Sequence, residues 1–317
     1  MSGVAAKVTS KDTQPSGRQG EGVLSDPAEY RDMGGAFSRQ GDAAKIWIDD
    51  MCGSSFETMA FRFLNHRFRP HTHDSLMLGL IESGTKAFDC KGRLHVASPG
   101  SISLVNPGDL HSGWRMVGEE LRYRALYIPE ELLSLAGDFL SPRASGTSVG
   151  FLHGVIRDPL VYRSLMRAHD AIVCREIRLA REHLLLEGIR LLVGRYGGRR
   201  TNETSTKAPT QVMRAKDLIN AQHAQDLSVA EVARLVGMSS YHLMREFRRH
   251  VGMPMHAYQI QVRVSQAKRL LVSGMAVSDV AQQVGFADQS HLSKRFKDLV
   301  GLPPAAYRRG VFESATT

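Results

Sequence analysis

The chain has 317 residues, 42% of them hydrophobic, with 41 Lys and Arg against 32 Asp and Glu and only three cysteines. That length suggests about two domains, each able to bury a core. Cys52, Cys90 and Cys174 are too scattered for a disulfide framework or a zinc spacing, and no run reaches the ~18 uninterrupted apolar residues of a membrane helix. The stretch His183 to Val193 is broken by Glu187 and Arg190.

Met1 to Gly22 mixes Lys, Ser, Gly, Asp and Gln without an apolar centre, so it is not a signal peptide, and residues 1–40 are expected to be disordered. Together with cysteines that suit a reducing compartment, this places the protein in the cytoplasm, with no part in a membrane. From about Lys45 to Tyr127 the texture changes to that of strands. Phe61-Arg62-Phe63, Leu76 to Ile81 and Ser101 to Val105 are separated by turn signals at Ser83-Gly84, Lys91-Gly92, Pro99-Gly100 and Pro107-Gly108. Close, regular turns between short strands favour an antiparallel barrel or jelly roll.

His71 and His73 are spaced i, i+2 and so share one face of a strand, where His111 from a neighbouring strand could join them. Three such imidazoles can hold a metal, line a pocket for an organic effector, or serve only the core. Trp114, three residues past His111, either lines the mouth of that pocket or packs inside.

The next segment, Val155 to Tyr196, has helical period. Leu160, Val161, Leu165, Met166 and Ile172 form one stripe, and Ile177, Leu184, Leu185, Ile189, Leu192 and Val193 a second. Residues 197–210, opening Gly197-Gly198-Arg199, carry no apolar period and read as a linker. A helix from about Gln211 to Gln222 follows, its face marked by Val212, Ala215, Leu218 and Ile219.

The remainder contains one pattern twice. Val232-Ala233-x-x-Val236-Gly237, Leu243-x-x-x-Phe247 and Gly252-x-Pro254 return as Val280-Ala281-x-x-Val284-Gly285, Leu292-x-x-x-Phe296 and Gly301-x-Pro303. In each copy a small residue four before a glycine suits a tight turn between two helices, and the Leu–Phe pair fixes the second helix to the first. The free face of that second helix carries Tyr241, Arg245, Arg248 and Arg249 in one copy and Ser290, Ser293, Lys294 and Lys297 in the other. These are tandem helix-turn-helix units suited to a major groove. Ile260, Val264, Ala267 and Leu271 mark a joining helix whose length places the two units about one duplex turn apart. Residues 211–317 hold 14 Lys and Arg against 8 Asp and Glu, so six of the chain's nine net positive charges lie there. Phosphate attracts such an excess.

On these residues, and on Lys268-Arg269-Leu270-Leu271, Gly285-Phe286-Ala287-Asp288 and the tail Gly301 to Arg309, the last third resembles the DNA-binding domain of AraC-type transcription regulators. Pro70-His71-Thr72-His73, Glu82-Ser83-Gly84 and Asn106-Pro107-Gly108-Asp109 resemble the cupin-like sensor domain of many such regulators. The resemblance implies a cupin-like effector-sensing β-barrel over 41–150, a helical dimerisation segment over 151–196, a linker over 197–210 and a double helix-turn-helix domain over 211–317. It implies double-stranded DNA, a small-molecule effector, a second copy of the chain and RNA polymerase as partners. Base contacts are implied for Tyr241, Met244, Arg245, Ser290, Ser293 and Lys294. Met244 departs from the polar residue expected, and either touches a thymine methyl or packs. Arg248, Arg249 and Lys297, with Arg308 and Arg309, are expected at phosphates or in solvent.

Two enzymatic alternatives stand beside this. A metal cupin would add a glutamate soon after the His pair, where Met77 and Leu78 stand; Glu82 lies at the far strand end, and Arg115 replaces a second-motif asparagine. An alkyl-transfer repair protein would need an activated cysteine, and none of the three has such a setting. The expectation is therefore no enzyme, no cofactor, no metal, and an organic effector bound by His71, His73, His111 and Trp114.

Overall fold

The computed structural model describes residues 41–116, 118, 120–140, 149–199 and 209–315. The expected disordered start, 1–40, and most of the expected linker, 200–208, lie outside them. Nine strands come first: β1 (Ala43–Met51), β2 (Ser54–Phe63), β3 (Arg67–His71), β4 (Leu76–Ser83), β5 (Lys86–Cys90), β6 (Arg93–Ala97), β7 (Ile102–Val105), β8 (His111–Arg115) and β9 (Leu121–Ile128). Helix α1 (Glu130–Leu140), β10 (Val149–Phe151), β11 (Val155–Ile156), α2 (Pro159–Val173), α3 (Arg178–Tyr196) and β12 (Gly197–Arg199) follow. The rest is helical: α4 (Thr210–Ala221), α5 (Val229–Val236), α6 (Ser240–Val251), α7 (Met255–Val272), α8 (Val277–Gln283), α9 (Gln289–Val300) and α10 (Pro304–Ala315).

The strands form a six-stranded antiparallel sheet, ordered β1-β2-β9-β4-β7-β11, and a four-stranded one, β3-β8-β5-β6. Local turn chemistry sets the register. Lys91 and Gly92, both at positive φ, make a two-residue hairpin between β5 and β6, and Cys52-Gly53 makes the same turn between β1 and β2. The sequence signal at Lys91-Gly92 was plain, whereas Cys52-Gly53 gave little sign.

Strand β4 is buried on both faces, and its alternation shows why. Leu76, Leu78 and Leu80 pack against α2 and α3, while Met77 meets Phe88 and Cys90 of the smaller sheet. Gly79 faces the same inner space, where a Cβ would stand 2.4 Å from Ser103 Oγ and 3.3 Å from Lys86 Nζ. The missing side chain makes room for the Lys86 head, which donates to Ser103 Oγ at 3.3 Å.

Helices α2 and α3 are tied end to end by Asp158. Its carboxylate caps α2 through the N–H groups of Leu160 and Val161 and accepts from Arg195 Nη1 and Tyr196 Oη at the end of α3. Val161, Leu165 and Ile172, with Leu185, Ile189 and Leu192, bury against the larger sheet. The two expected apolar stripes are therefore corrected at their edges: Leu160 is 45% exposed and Ile177 75%. A second correction concerns Gly197-Gly198-Arg199, read as linker, which pairs as β12 with β10.

The division between the strand-rich and helical parts is not a division of cores. Ile46, Phe61, Phe63 and Tyr123, from the face of the larger sheet that also carries Met77 and Gly79, share one cluster with Val264, Phe296 and Tyr307 of α7, α9 and α10. Glu57 on β2 accepts from Tyr307 Oη at 2.7 Å and from Lys268 Nζ at 2.7 Å. The first helix-turn-helix unit instead has its own core, centred on Val212, Ala215, Val232, Leu243 and Phe247. Removing either aromatic ring should cost ~3–5 kcal/mol. Calorimetry should show Phe296→Ala lowering the transition of the whole sheet-containing unit, and Phe247→Ala lowering only that of α4–α6.

Between the large sheet and α2, Arg124 is almost fully buried, ion-paired with Glu82 at 2.8 Å and with Asp170. His169 beside it is wholly buried, with Nε2 3.2 Å from the Met59 carbonyl; burial, with the charge of Arg124, pushes its pKa down to about 3 from 6.5. Between these values the unfolded chain takes up a proton that the fold refuses, so stability falls as pH drops below about 6.5. Thermal melts from neutral to acid pH should show a shallower decline in His169→Gln than in the parent.

Candidate DNA interface and histidine cluster

Each helix-turn-helix is built by capping as much as by packing. Ser228 and Glu231 form a reciprocal capping box at the start of α5, and Gly237 ends it at φ 71°, a left-handed conformation that an L side chain strains. Ser239 then caps α6 through the His242 N–H, as Asp288 caps α9 through the His291 N–H at 2.7 Å. Leu243 and Phe247 turn inward, as do Leu292 and Phe296. Tyr241, Met244, Arg245, Arg248 and Arg249 consequently stand exposed on α6, and Ser290, Lys294 and Lys297 on α9, with Ser293 half-buried. Each row lies on the free face of the second helix of its unit, the face that can enter a major groove.

The first row carries a feature that spacing did not reveal. Glu246 is buried at the back of α6, 3.1 Å from Arg245 Nη2, 3.7 Å from Arg249 Nη1 and 3.5 Å from His250 Nε2. Burial would raise its pKa, but the hydrogen bond from Arg245 and the charges of Arg245, Arg249 and His242 outweigh that and hold it low. The carboxylate thus steadies Arg245 and offsets part of the charge on α6. Arg308, expected at phosphate or in solvent, instead donates to the Met275 carbonyl at 3.3 Å.

Arg263 of α7, also missed, is buried between the two units. It donates to the carbonyls of His223 at 2.7 Å, Gln225 at 2.9 Å and Gly285 at 2.6 Å. Those carbonyls belong to the loop after α4 and to the turn after α8, so one guanidinium joins the first unit to the second. The sequence signal was an Arg inside the apolar stripe of the joining helix, which reads equally well as a solvated charge.

In the β domain, β3 and β8 pair with His71 opposite His111, and His73 follows β3. The three ring centroids lie 4.2 to 5.0 Å apart. His71 and His111 are buried and His73 half-buried; burial pushes all three pKa values down, that of His71 to about 4. Trp114 is corrected away from this group: alternation along β8 turns it to the opposite face from His111, where the Arg67 guanidinium lies 4.7 Å from its ring centroid. Glu82 is engaged by Arg124, and Arg115 donates to the carbonyls of Leu64 and Gly118, so neither joins the histidines. Burial pushes the Cys90 thiol up to about 11 and also raises Cys52, the opposite of an activated nucleophile.

A ligand-binding β domain joined to two helix-turn-helix units defines a DNA-binding regulator of transcription, and comparison with known proteins agrees. Residues 54–191 match the AraC-like ligand binding domain and residues 232–310 a helix-turn-helix domain. The HTH-type transcriptional regulator YbfI of Bacillus subtilis, itself uncharacterized, is 30% identical over 74% of this chain and 85% of its own. The HTH-type transcriptional activator RhaR of Escherichia coli is 25% identical over 83% and 96%. ToxT from Vibrio cholerae, solved bound to (E)-4-(8-methylnaphthalen-1-yl)but-3-enoic acid, shares the fold at 14% identity, with a TM-score of 0.52 over 86% of this chain and all of its own. The chain belongs to the AraC-type transcription regulators.

A guanidinium on the first reading helix can pair bidentately with guanine O6 and N7. Arg245→Ala should weaken binding to the cognate site by ~1–3 kcal/mol and leave scrambled DNA nearly unaffected. Lys297→Ala should weaken both and flatten the salt dependence. Gel-shift titrations at two salt concentrations separate the roles, an equal loss on both DNAs marking Arg245 as a phosphate contact.

Proposed function

We propose that the protein is an effector-controlled, sequence-specific regulator acting on double-stranded DNA in the cytoplasm, not an enzyme. The observation that carries this reading is the pair of exposed polar helices, α6 and α9, held at fixed separation by α7. Tyr241, Met244, Arg245, Ser290, Ser293 and Lys294 read bases, and Arg248, Arg249 and Lys297 hold the phosphate backbone. His71, His73 and His111 line the effector site. ToxT, alike in fold, was crystallised with a small organic acid, which supports a small-molecule effector here.

RNA polymerase is the downstream partner of this reading, supported by RhaR being named a transcriptional activator. The protein works as a homodimer. Since the buried residues of α2 and α3 are used by the sheet, pairing falls to their outer surface, where Leu179 and Ile177 are 74% and 75% exposed. Full-length protein should recover discrete sites from fragmented genomic DNA and sediment as a dimer. Leu179→Glu should give a monomer with an unchanged melting temperature. A parent chain that is already monomeric at the concentrations that bind DNA would remove the dimer from this account, and recovery of random fragments would remove sequence specificity.

A further inference from the structure

We propose that His71, His73 and His111 bind one divalent transition-metal ion, and that its presence is passed to the reading helices through Thr72. The proposal rests on the β domain being the sensor, and it departs from the expectation of no metal. The absent glutamate weighed against a metal in the sequence; what the sequence could not show is how the imidazoles are held.

One ligand atom from each histidine lies within 4.8 Å of the other two. His71 Nδ1 is 2.6 Å from the Arg69 carbonyl, and His111 Nδ1 is 3.1 Å from the Asp109 carbonyl. A carbonyl only accepts, so both Nδ1 atoms carry the proton and both Nε2 atoms keep a lone pair. This is how proteins orient metal-binding histidines: the outer nitrogen is tied to a backbone oxygen and the inner one presented to the ion. A pocket for carboxylates would present donors rather than converging acceptors, because an ionised carboxylate only accepts.

The surroundings select the kind of ion. Two ammonium groups face the cluster from other elements, Lys86 of β5 and Lys268 of α7. Lys268 is neutralised by Glu57 at 2.7 Å, and Lys86 is so desolvated that its pKa falls to about 7. Three neutral nitrogens suit zinc, cobalt, nickel or copper, and do not suit calcium or magnesium, which require oxygen ligands. Three protein ligands leave a fourth position for water or for a donor atom of an organic effector.

The same segment touches the DNA-binding domain. Thr72, between two of the ligands, donates its N–H to Gln261 Oε1 at 2.9 Å and accepts from Gln261 Nε2 at 2.6 Å. Gln261 lies on α7, which joins the two reading units. Metal–nitrogen bonds of about 2.0–2.1 Å to all three imidazoles would hold them, and Thr72 between two of them, in one fixed arrangement. The bidentate Thr72–Gln261 pair hands that constraint to α7.

The test uses the full chain, stripped with chelator and titrated with cobalt(II) and zinc(II), while DNA binding is followed in parallel. Expected are visible cobalt d–d absorption saturating at one ion per chain, its displacement by zinc, and a metal-dependent change in affinity for the cognate site. His73→Ala, at the least buried of the three, and separately His111→Gln should lose the absorption while melting as folded proteins. Gln261→Ala should keep the ion and lose its effect on DNA. A chain that binds cognate DNA but takes up no cobalt or zinc overturns the metal site and leaves the regulator standing. A chain that takes up metal but binds no cognate DNA counts against the regulator reading alone. Metal uptake that survives in both histidine variants overturns the assignment of these ligands, and a metal effect that survives in Gln261→Ala overturns the coupling.

Discussion

The face of the larger sheet opposite α2 and α3 must be covered, and α7 to α10 cover the part of it around Ile46 and Phe61. Phe61, Phe63, Tyr123 and Ile46 would otherwise leave an apolar surface in water; burying each such side chain contributes about 1.5–3 kcal/mol. Because the cover is the second helix-turn-helix unit itself, that unit is part of the sensor's core. Glu57 locks the arrangement by taking hydrogen bonds from both Tyr307 and Lys268. A carboxylate among aromatic rings is tolerable only when satisfied in this way, so its two partners are held in place.

The two reading units are consequently unequal. The first has its own core and carries its charge on α6, moderated by Glu246 from behind. The second shares a core with the sheet, and Arg69 of β3 reaches Asp298 of α9 at 3.0 Å. Events inside the β domain meet the second unit directly, and the first through α7 and at Gly252, the end of α6, which lies against Leu110. The histidine cluster lies beside that junction, with Thr72 against α7 and Lys268 close by.

The sequence was most legible where a local rule acts alone. The duplicated Ala-x-x-x-Gly and Leu-x-x-x-Phe spacings gave the helix-turn-helix units because helix period and glycine turns do not depend on distant residues. The strand region was legible through its turns for the same reason. Side-chain direction was less so: Trp114 looked like a neighbour of His111, yet strand alternation separates them, and the register shift between Phe68 and His71 is marked only by Pro70, which cannot donate to the ladder. The apolar stripes of α2 and α3 were visible, but only the sheet decides which side is covered, so Leu160 and Ile177 were assigned to the wrong side. Glu246 and Arg263 escaped notice because a charged residue on a helix is ordinarily a solvated one, and only the tertiary fold buries these two.

Arg263 has a consequence for the nucleic acid more than for the protein. Its planar fork spans three carbonyls from two separate units, so neither unit can tilt without leaving buried hydrogen-bonding groups unmatched. The pair of reading helices is thereby a ruler of fixed pitch. If, as proposed, both helices enter one duplex, the interval between the two groove segments is set before any side chain reads a base, and a duplex of the wrong interval must bend or twist to fit. On that reading, part of the preference among DNA sites is a preference for deformable steps between the contacted segments, written in base pairs that no side chain touches.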